Sequence, residues 1–183
     1  MSELPPFVPY RSIPRLNREM VVTEKLDGTN AVIYIGEDGQ FIPGSRSRWL
    51  VNGDDNHGFA RWAYEHKDEL LKLGPGWHHG EWWGKGINRT YGLAEKRFSL
   101  FNTSRWTDET KPAICHVVPT IFTGHFSTRL IGGAIDMLRN GGSWAAPGYM
   151  RPEGVVVYHV QGNLQFKVTL EHDDVPKGLV KCQ

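Results

Sequence analysis

Short runs of aliphatic and β-branched residues, separated by turn-forming residues, recur along most of the chain and predict strands. The first two runs, residues 20–24 and 31–35, flank Asp27-Gly28, a dipeptide that favours tight turns between strands. We therefore expect two adjoining strands here. Further strand candidates are residues 77–83, 97–101, 114–118, 154–159 and 164–170.

Two other segments have the apolar spacing of an amphipathic helix. In residues 58–73 the apolar positions fall mostly on one face, and Gly74-Pro75 ends the pattern. The second helix is predicted from about Ser127 to Arg139, because a Ser/Thr pair precedes it and Gly141-Gly142 follows it. Many strands and few helices predict an α+β fold with a mainly antiparallel sheet.

The composition indicates the class of protein but does not identify the partner that it binds. The chain has 183 residues, 39% of them hydrophobic, and no repeat or long linker, so we expect one domain over residues 1–183. A formal net charge of +1 excludes nucleic-acid binding by bulk positive charge, although it permits a local basic groove.

The same sequence predicts a reduced, cytoplasmic location. Prolines and a glutamate in residues 1–10 are unlike a signal peptide, and no run approaches the ~18 apolar residues of a membrane span. Two cysteines without a CxxC motif indicate neither a disulfide framework nor a zinc site. Cys115 is interpreted as a packed thiol, and the eight histidines are assigned no chemistry.

The strongest chemical signal is Lys25-Leu26-Asp27-Gly28, a KxDG motif at the end of a predicted strand. A deprotonated lysine amine at this place can attack the α-phosphate of a nucleotide and expel pyrophosphate, which leaves a lysine–nucleotide phosphoramidate. Taken alone, the motif favours the interpretation as a hairpin turn with a solvated lysine, so companion motifs must decide.

Five further motifs follow the lysine in an order typical of covalent nucleotidyltransferases. They are the segments 43–48 (PGSRSR), 79–84 (HGEWWG), 97–101 (RFSLF), 153–157 (EGVVV) and 164–167 (LQFK). With these motifs the sequence resembles the polynucleotide ligase and mRNA-capping superfamily, and in particular its RNA ligase branch. Thr29-Asn30 and the segments 55–62 and 85–92 resemble the small viral members. The resemblance extends from about residue 12 to residue 167.

The resemblance implies a fold and a reaction. The fold is the nucleotidyltransferase (adenylation) domain, of ATP-grasp-like ligase type, with antiparallel sheets, a nucleotide groove between them and no OB domain. The implied reaction is ATP-dependent joining of RNA 5′-phosphate and 3′-hydroxyl ends through lysyl-AMP, with Mg²⁺ or Mn²⁺ as metal. DNA ends are possible substrates. The implied protein is a monomer that repairs RNA in the host cytoplasm if it is viral.

The same resemblance implies roles for individual residues. Lys25 is the nucleophile, Thr23 and Glu24 contact the adenine, and Arg46 binds the ribose and the incoming 5′-phosphate. Glu81 binds ribose hydroxyls and Phe98 stacks on the purine. Each of these residues also has an ordinary structural explanation, such as a surface arginine, a half-buried acid or a core aromatic.

Further roles concern the metal and the phosphates. Glu153 binds the metal or its waters, as a hard oxygen ligand should. Lys167 neutralises charge that develops at the α-phosphate. Asp27 and Asn30 hold Lys25 and the metal-bound water.

One motif departs from the family pattern, which usually has two lysines separated by one residue in the last strand. The possible partners of Lys167 are Gln165 and Thr169, and neither is charged. Either position can mark the lost lysine, and Lys177 or Lys181 can replace its charge.

Three other interpretations stay open at this point. A capping guanylyltransferase would share Lys25, Glu81, Glu153 and Lys167 but would bind GTP, and a DNA ligase would share the chemistry on other ends. A degenerate binder of nucleic-acid ends would bind without becoming adenylylated.

Overall fold

Two β-sheets form the frame of the molecule. The computed structural model describes residues 4–51 and 53–173. The strands are β1 Glu19–Lys25, β2 Thr29–Ile35, β3 Phe41–Ser45, β4 Gly76–Gly84, β5 Lys96–Leu100, β6 His116–Val117, β7 Thr120–His125, β8 Gly154–His159 and β9 Leu164–Thr169. Sheet A has the strand order β7-β1-β8-β9, and sheet B has the order β3-β2-β4-β5-β6. Within the described residues only β5 and β6 pair in parallel, so the predicted α+β fold with mainly antiparallel sheets is confirmed.

The prediction that the first two strands adjoin is wrong. Strand β1 pairs with β7 and β8 in sheet A, whereas β2 pairs with β3 and β4 in sheet B. Asp27-Gly28 is therefore a crossover between sheets and not a hairpin turn. The backbone N–H groups there bond outside the two strands, from Asp27 to the Tyr91 hydroxyl at 2.8 Å and from Gly28 to Glu81 Oε1 at 3.0 Å.

The first predicted helix is broken into three pieces, namely α1 Phe59–Glu65, α2 Lys67–Leu70 and a 3-10 turn Leu71–Leu73. The break lies at His66, whose backbone has left the helical region and whose ring Nδ1 lies 2.8 Å from the Trp62 carbonyl oxygen. The second helix, α3 Thr128–Gly141, matches its prediction. The Ser127 hydroxyl accepts the Leu130 N–H, and Gly142 ends the helix with φ 79°.

Strands β3 and β7 were not predicted as strands. Both lie at sheet edges. Pro43 and Gly44 interrupt the strand pattern of β3, and an edge strand tolerates such residues because one side of its backbone needs no partner. Gly124 similarly interrupts β7.

Among the residues that the structure describes, three apolar clusters hold the sheets and helices together. The largest packs α1 and α2 against one face of sheet B and includes Phe59, Trp82 and Phe98. A second packs α3 against one face of sheet A. The third lies under the crossover, where Leu26 meets Trp83, Tyr91 and Val118. Helices thus cover one face of each sheet. The opposite face, which we call uncovered, carries the site residues. No helix among the described residues is long and apolar enough to cross a membrane.

The crossover leaves no room for a side chain at Gly28. A Cβ there would lie 2.3 Å from the Trp82 carbonyl oxygen and 2.7 Å from Trp83 Cβ. We predict that Gly28→Ala lowers the free energy of unfolding by about 2–3 kcal/mol or more, measured by denaturant unfolding. Gly132→Ala is the control, since its new Cβ would meet no described atom within 4 Å apart from the nearby backbone of α3, and alanine should stabilise the helix by about 0.5–1 kcal/mol. Equal stability of the two variants would contradict the tight packing.

Candidate active site

Strand alternation brings the predicted residues of sheet A to its uncovered face. On β1, Met20, Val22 and Glu24 are buried on the α3 side, so Thr23 and Lys25 point the other way. The pairing of β1 with β8 and of β8 with β9 places two rows of residues beside Thr23 and Lys25. Thr23 lies beside Val156 of β8 and then Lys167 of β9, while Lys25 lies beside Gly154 and then Thr169.

Sheet B contributes a facing row at the same end of the molecule. Asn30 of β2, Glu81 of β4 and Ser99 of β5 are paired across three strands. Because β1 ends and β2 begins at the crossover, this row lies close to Lys25. The charges of Lys25 and Glu153 both act on the Glu81 carboxyl group. The uncovered faces of the two sheets therefore meet in one site.

The central contact is an ion pair between Lys25 and Glu153. Lys25 Nζ donates to Glu153 Oε2 at 2.6 Å, and the two side chains are only 20% and 7% exposed. Glu153 directly precedes β8 and is held beside the last residue of β1 by the pairing of Lys25 with Gly154. A lysine in this pair is fixed in place for attack but must give up its proton before it can act as a nucleophile.

Glu81 is a buried carboxylate with an incomplete set of compensating charges. Its Oε1 accepts the Gly28 N–H at 3.0 Å, and its Oε2 accepts Asn30 Nδ2 at 2.9 Å. Burial nevertheless raises the pKa of Glu81 to about 7, with the hydrogen bonds and Lys25 opposing this shift. The group is thus poised to bind a hydroxyl or a cation near neutral pH.

Residues 88–91, which follow β4, form hydrogen bonds that hold the crossover loop. The sequence alone did not assign this segment a role. Asn88 Nδ2 donates to Asp27 Oδ1 at 3.0 Å and to the Gly28 carbonyl oxygen at 2.8 Å. Arg89 Nε donates to Asp27 Oδ2 at 3.0 Å. Asn88 and Tyr91 have positive φ values of 41° and 54°, which non-glycine residues rarely adopt and which are common at functional sites. Asp27 therefore anchors the loop that carries Lys25.

Two predicted site residues are not brought to this site. The Glu24 side chain lies on the α3 side of sheet A, where its Oε2 accepts the N–H groups of Trp144 and Ala145, each at 2.9 Å. Burial raises the pKa of Glu24. Phe98 is fully buried on the helix-covered face of sheet B, against Phe59 and Trp62. It lies on that face because it is one residue out of step with Ser99, the partner of Glu81.

Phe101, unlike Phe98, is in step with Ser99, the partner of Glu81. It follows β5 two residues after Ser99, its N–H donates to the His79 carbonyl oxygen at 3.0 Å, and it is 37% exposed. Both aromatics occur in the motif RFSLF, and only the strand register separates them. Thus the motif located the strand, whereas the choice of ring needed the structure.

A model of the RNA ligase family matches residues 18–170. The chain belongs to the RNA ligase family. This confirms the resemblance inferred from the motifs. A comparison with curated proteins finds no match.

The fold is similar to that of Naegleria gruberi RNA ligase. A lysine-to-alanine mutant described with ATP and Mn has a TM-score of 0.61 and 19% identity, over 84% of this chain and 49% of that chain. A lysine-to-methionine mutant with AMP and Mn has a TM-score of 0.60 and 19% identity, over 84% and 50%. The enzyme with PPi has a TM-score of 0.60 and 18% identity, over 91% and 57%. This family member thus spans about half the length of these structures.

The remaining predicted residues of this RNA ligase family member lie after β3, on β9 or outside the described residues. Arg46 is exposed after β3 and has no hydrogen bond or ion pair to another described residue. Lys167 is exposed on β9, one row further from the crossover than Thr169. Gln165 lies another row away, beside Tyr158. Lys177 and Lys181 lie outside the described residues.

The donor set fits the divalent metal that the family implies. Mg²⁺ and Mn²⁺ prefer oxygen ligands, and Mg²⁺ commonly binds through one or two carboxylates together with waters and substrate phosphates. Glu153 offers such a carboxylate, and Glu81 lies nearby with a pKa that burial has raised. In the described part of the chain no group of three or more His, Cys, Asp or Glu could hold a metal by itself. The site therefore fits a metal that is bound jointly with the nucleotide.

The raised pKa of Glu81 predicts a pH dependence of stability. A carboxyl group whose pKa is about 7 when folded and about 4.5 when unfolded binds more protons in the native state between these values, so its contribution falls as pH rises. Between pH 5 and 7.5 the loss from Glu81 should be about 2 kcal/mol.

The measurement compares unfolding free energies of wild type and Glu81→Gln at both pH values. The wild type should lose about 2 kcal/mol more than the variant on going to pH 7.5. The raised pKa of Glu24 acts in the same direction in both proteins and cancels in the comparison. Parallel pH profiles would contradict the assignment.

Proposed function

We propose that this protein is an ATP-dependent RNA ligase that works through a lysyl-AMP intermediate. The observation that carries the proposal is the position of Lys25 in a chain of the RNA ligase family. It ends β1 at the crossover, it pairs with Glu153 at 2.6 Å, and it lies near the Glu81 carboxylate. The solved structures of similar fold include complexes described with ATP, AMP and Mn, which supports this choice of substrate and metal.

The first step is attack by the neutral Lys25 amine on the α-phosphorus of ATP. A P–N bond forms, the P–O bond to the β-phosphate breaks, and pyrophosphate leaves with the electron pair while the amine proton goes to solvent. The metal, when bound, neutralises phosphate charge. Glu153 would hold it, which would also draw the carboxylate away from its pairing with Lys25. Lys167, on the same face of sheet A, would bind an α-phosphate oxygen.

Two further steps would complete sealing. A 5′-phosphate oxygen of RNA attacks the lysyl-AMP phosphorus, and the P–N bond breaks to release Lys25. An adjacent 3′-hydroxyl then attacks the activated 5′-phosphate, and AMP leaves. Arg46, exposed and unpaired among the described residues, would bind the incoming phosphate. Glu81 and Asn30 would hold the ribose, and Thr23 would line the groove beside the base.

The finer parts of the sequence prediction remain proposals. They are an ATP-grasp-like adenylation domain active without an OB domain, one domain over residues 1–183, a monomer, a role in viral RNA repair in the cytoplasm, and DNA ends as possible substrates. Adduct formation by the 183-residue chain alone would support the first two of these. The RNA ligase family match supports a ligase over a capping guanylyltransferase.

Adduct formation tests the proposal directly. Wild type incubated with labelled ATP and Mg²⁺ should gain one AMP by intact mass, and Lys25→Ala should gain none. Lys72→Ala is the control, because Lys72 is exposed and, among the described residues, forms its ion pair with Glu69 of the preceding helix α2. An adduct of equal yield on Lys25→Ala, or labelling by GTP in place of ATP, would overturn this function.

The two aromatics of the RFSLF motif should give opposite phenotypes. Phe101→Ala should raise the KM for ATP in adduct formation by about tenfold, because loss of base stacking costs about 1–3 kcal/mol, and should leave stability nearly unchanged. Phe98→Ala should instead destabilise the fold by about 3–5 kcal/mol. Adduct kinetics and thermal unfolding distinguish them. A normal KM in Phe101→Ala would remove it from the site.

The strand register predicts where a second lysine would help. Thr169 lies in the row of Lys25, whereas Gln165 lies two rows further away. Thr169→Lys should therefore increase the rate of adduct formation several-fold at low salt, and Gln165→Lys should stay near the wild-type rate. The gain should shrink as salt screens the new charge. A larger gain for Gln165→Lys would mean that the nucleotide lies further along sheet A.

A further inference from the structure

The uncovered face of sheet B carries an exposed layer of aromatic rings beyond the site. Tyr34, Trp49, Trp77 and His79 form this layer, which we call the aromatic platform. Trp77 stacks against Trp49 with ring centroids 5.2 Å apart and against His79 at 6.1 Å with an interplanar angle of 9°. Tyr34 packs on Trp77 at 5.0 Å. Trp77 is 56% exposed and Trp49 is 38% exposed, so large ring areas face solvent.

The sheet is built to support these rings. The Trp49 indole lies over Gly44 of β3, where a Cβ would lie 3.0 Å from the indole and 2.7 Å from Val32 Cγ1. Trp49 is held there by a bridge between its backbone and that of Gly44. Tyr34 and Trp77 are paired across β2 and β4. The rings are therefore fixed before any partner binds, and fixed rings lose little entropy on binding.

The platform is continuous with the candidate active site. Glu81, His79 and Trp77 are alternate residues of β4 and so share one face. Alternate residues of a strand are about 7 Å apart, which is close to the spacing of extended nucleotides. His79 therefore lies about one nucleotide length from Glu81, and Trp77 lies about two nucleotide lengths from it. Arg46 is exposed in the same turn that carries Trp49 and can meet a phosphate.

We propose that the aromatic platform stacks unpaired bases of the RNA strand next to the end being joined. The occupant follows from the chemistry of the surface, since flat rings beside an unpaired arginine suit bases linked by phosphates. The platform would bind any base, because every base has a π face, and would therefore favour single-stranded over paired RNA near the join. This inference rests on the proposed function for its choice of nucleic acid.

The first test uses the wild-type chain and needs no substitution. Affinity is measured by fluorescence anisotropy, without ATP, for a 5′-phosphorylated single-stranded RNA and for the same RNA with abasic residues at its three end-proximal positions. Both probes have the same phosphate charge. The intact RNA should bind at least tenfold more tightly, as two stacked bases would provide. Equal affinity would overturn the proposal and favour a protein surface as the occupant of the platform.

The second test assigns the effect to the platform. Trp77→Ala should weaken binding of intact RNA about tenfold and leave the abasic probe unchanged, while Trp77→Phe should restore much of the loss. Tyr64→Ala is the matched control, since Tyr64 is 49% exposed on α1 at the other face of sheet B. Equal weakening by both alanine variants would overturn the assignment.

AMP adduct formation separates this proposal from the proposed function. Trp77→Ala should form the adduct at the wild-type rate, which also shows that it is folded. A normal adduct rate with unchanged RNA binding would overturn the platform alone. If the wild type forms no adduct, the ligase function fails, and the comparison of intact and abasic RNA still decides whether the platform binds bases.

Discussion

The passage of the backbone from one sheet to the other at residues 26–28 is the constraint on which the site depends. Leu26 packs under the crossover, Gly28 lies against the backbone of β4 with no space for a side chain, and Asp27 is held by Asn88 and Arg89. Lys25 therefore ends its strand at the line where the two uncovered sheet faces meet. The backbone N–H of Gly28 also fixes Glu81, so one short segment sets the positions of both the nucleophile and the carboxylate of the opposite sheet.

Electrostatics then explain why this arrangement favours nucleotide and metal. Three charged groups, Lys25, Glu81 and Glu153, are largely withdrawn from water, and they bring more negative than positive charge. Burial raises the pKa of Glu81 because the available donors compensate it only in part. A divalent cation would relieve this excess, and Lys25 would then be released from Glu153 beside the α-phosphate. The same imbalance would disfavour an isolated anion, so nucleotide and metal should bind together.

The residues of the site could be predicted from the sequence better than the connections between the strands. The KxDG lysine, Glu81, Glu153 and Asn30 do lie together: their motifs fix the residue types, and strand pairing places Asn30 beside Glu81 and Gly154 beside the lysine. The Asp27-Gly28 dipeptide was misinterpreted as a hairpin turn, since tight turns and crossovers use the same residues and differ only in distant partners. Phe98 was assigned to the purine although it is one residue out of step with Ser99 and so lies on the opposite face of β5, since no local pattern shows which face a helix will cover. The segment around Asn88 was recognised only as a resemblance, and its role in holding the crossover could not be predicted because it depends on contacts about sixty residues away.

The central claim is that the nucleotide binds between the uncovered faces of the two sheets, with its α-phosphate at Lys25. A crystal structure of the chain after reaction with ATP and Mg²⁺ tests this most directly. We expect density for AMP bonded to Lys25 Nζ, the ribose hydroxyls at Glu81, and Phe101 against the adenine. Nucleotide bound elsewhere, for example in the open pocket between Asp54, Arg61 and Tyr64 on the other side of sheet B, would contradict the account.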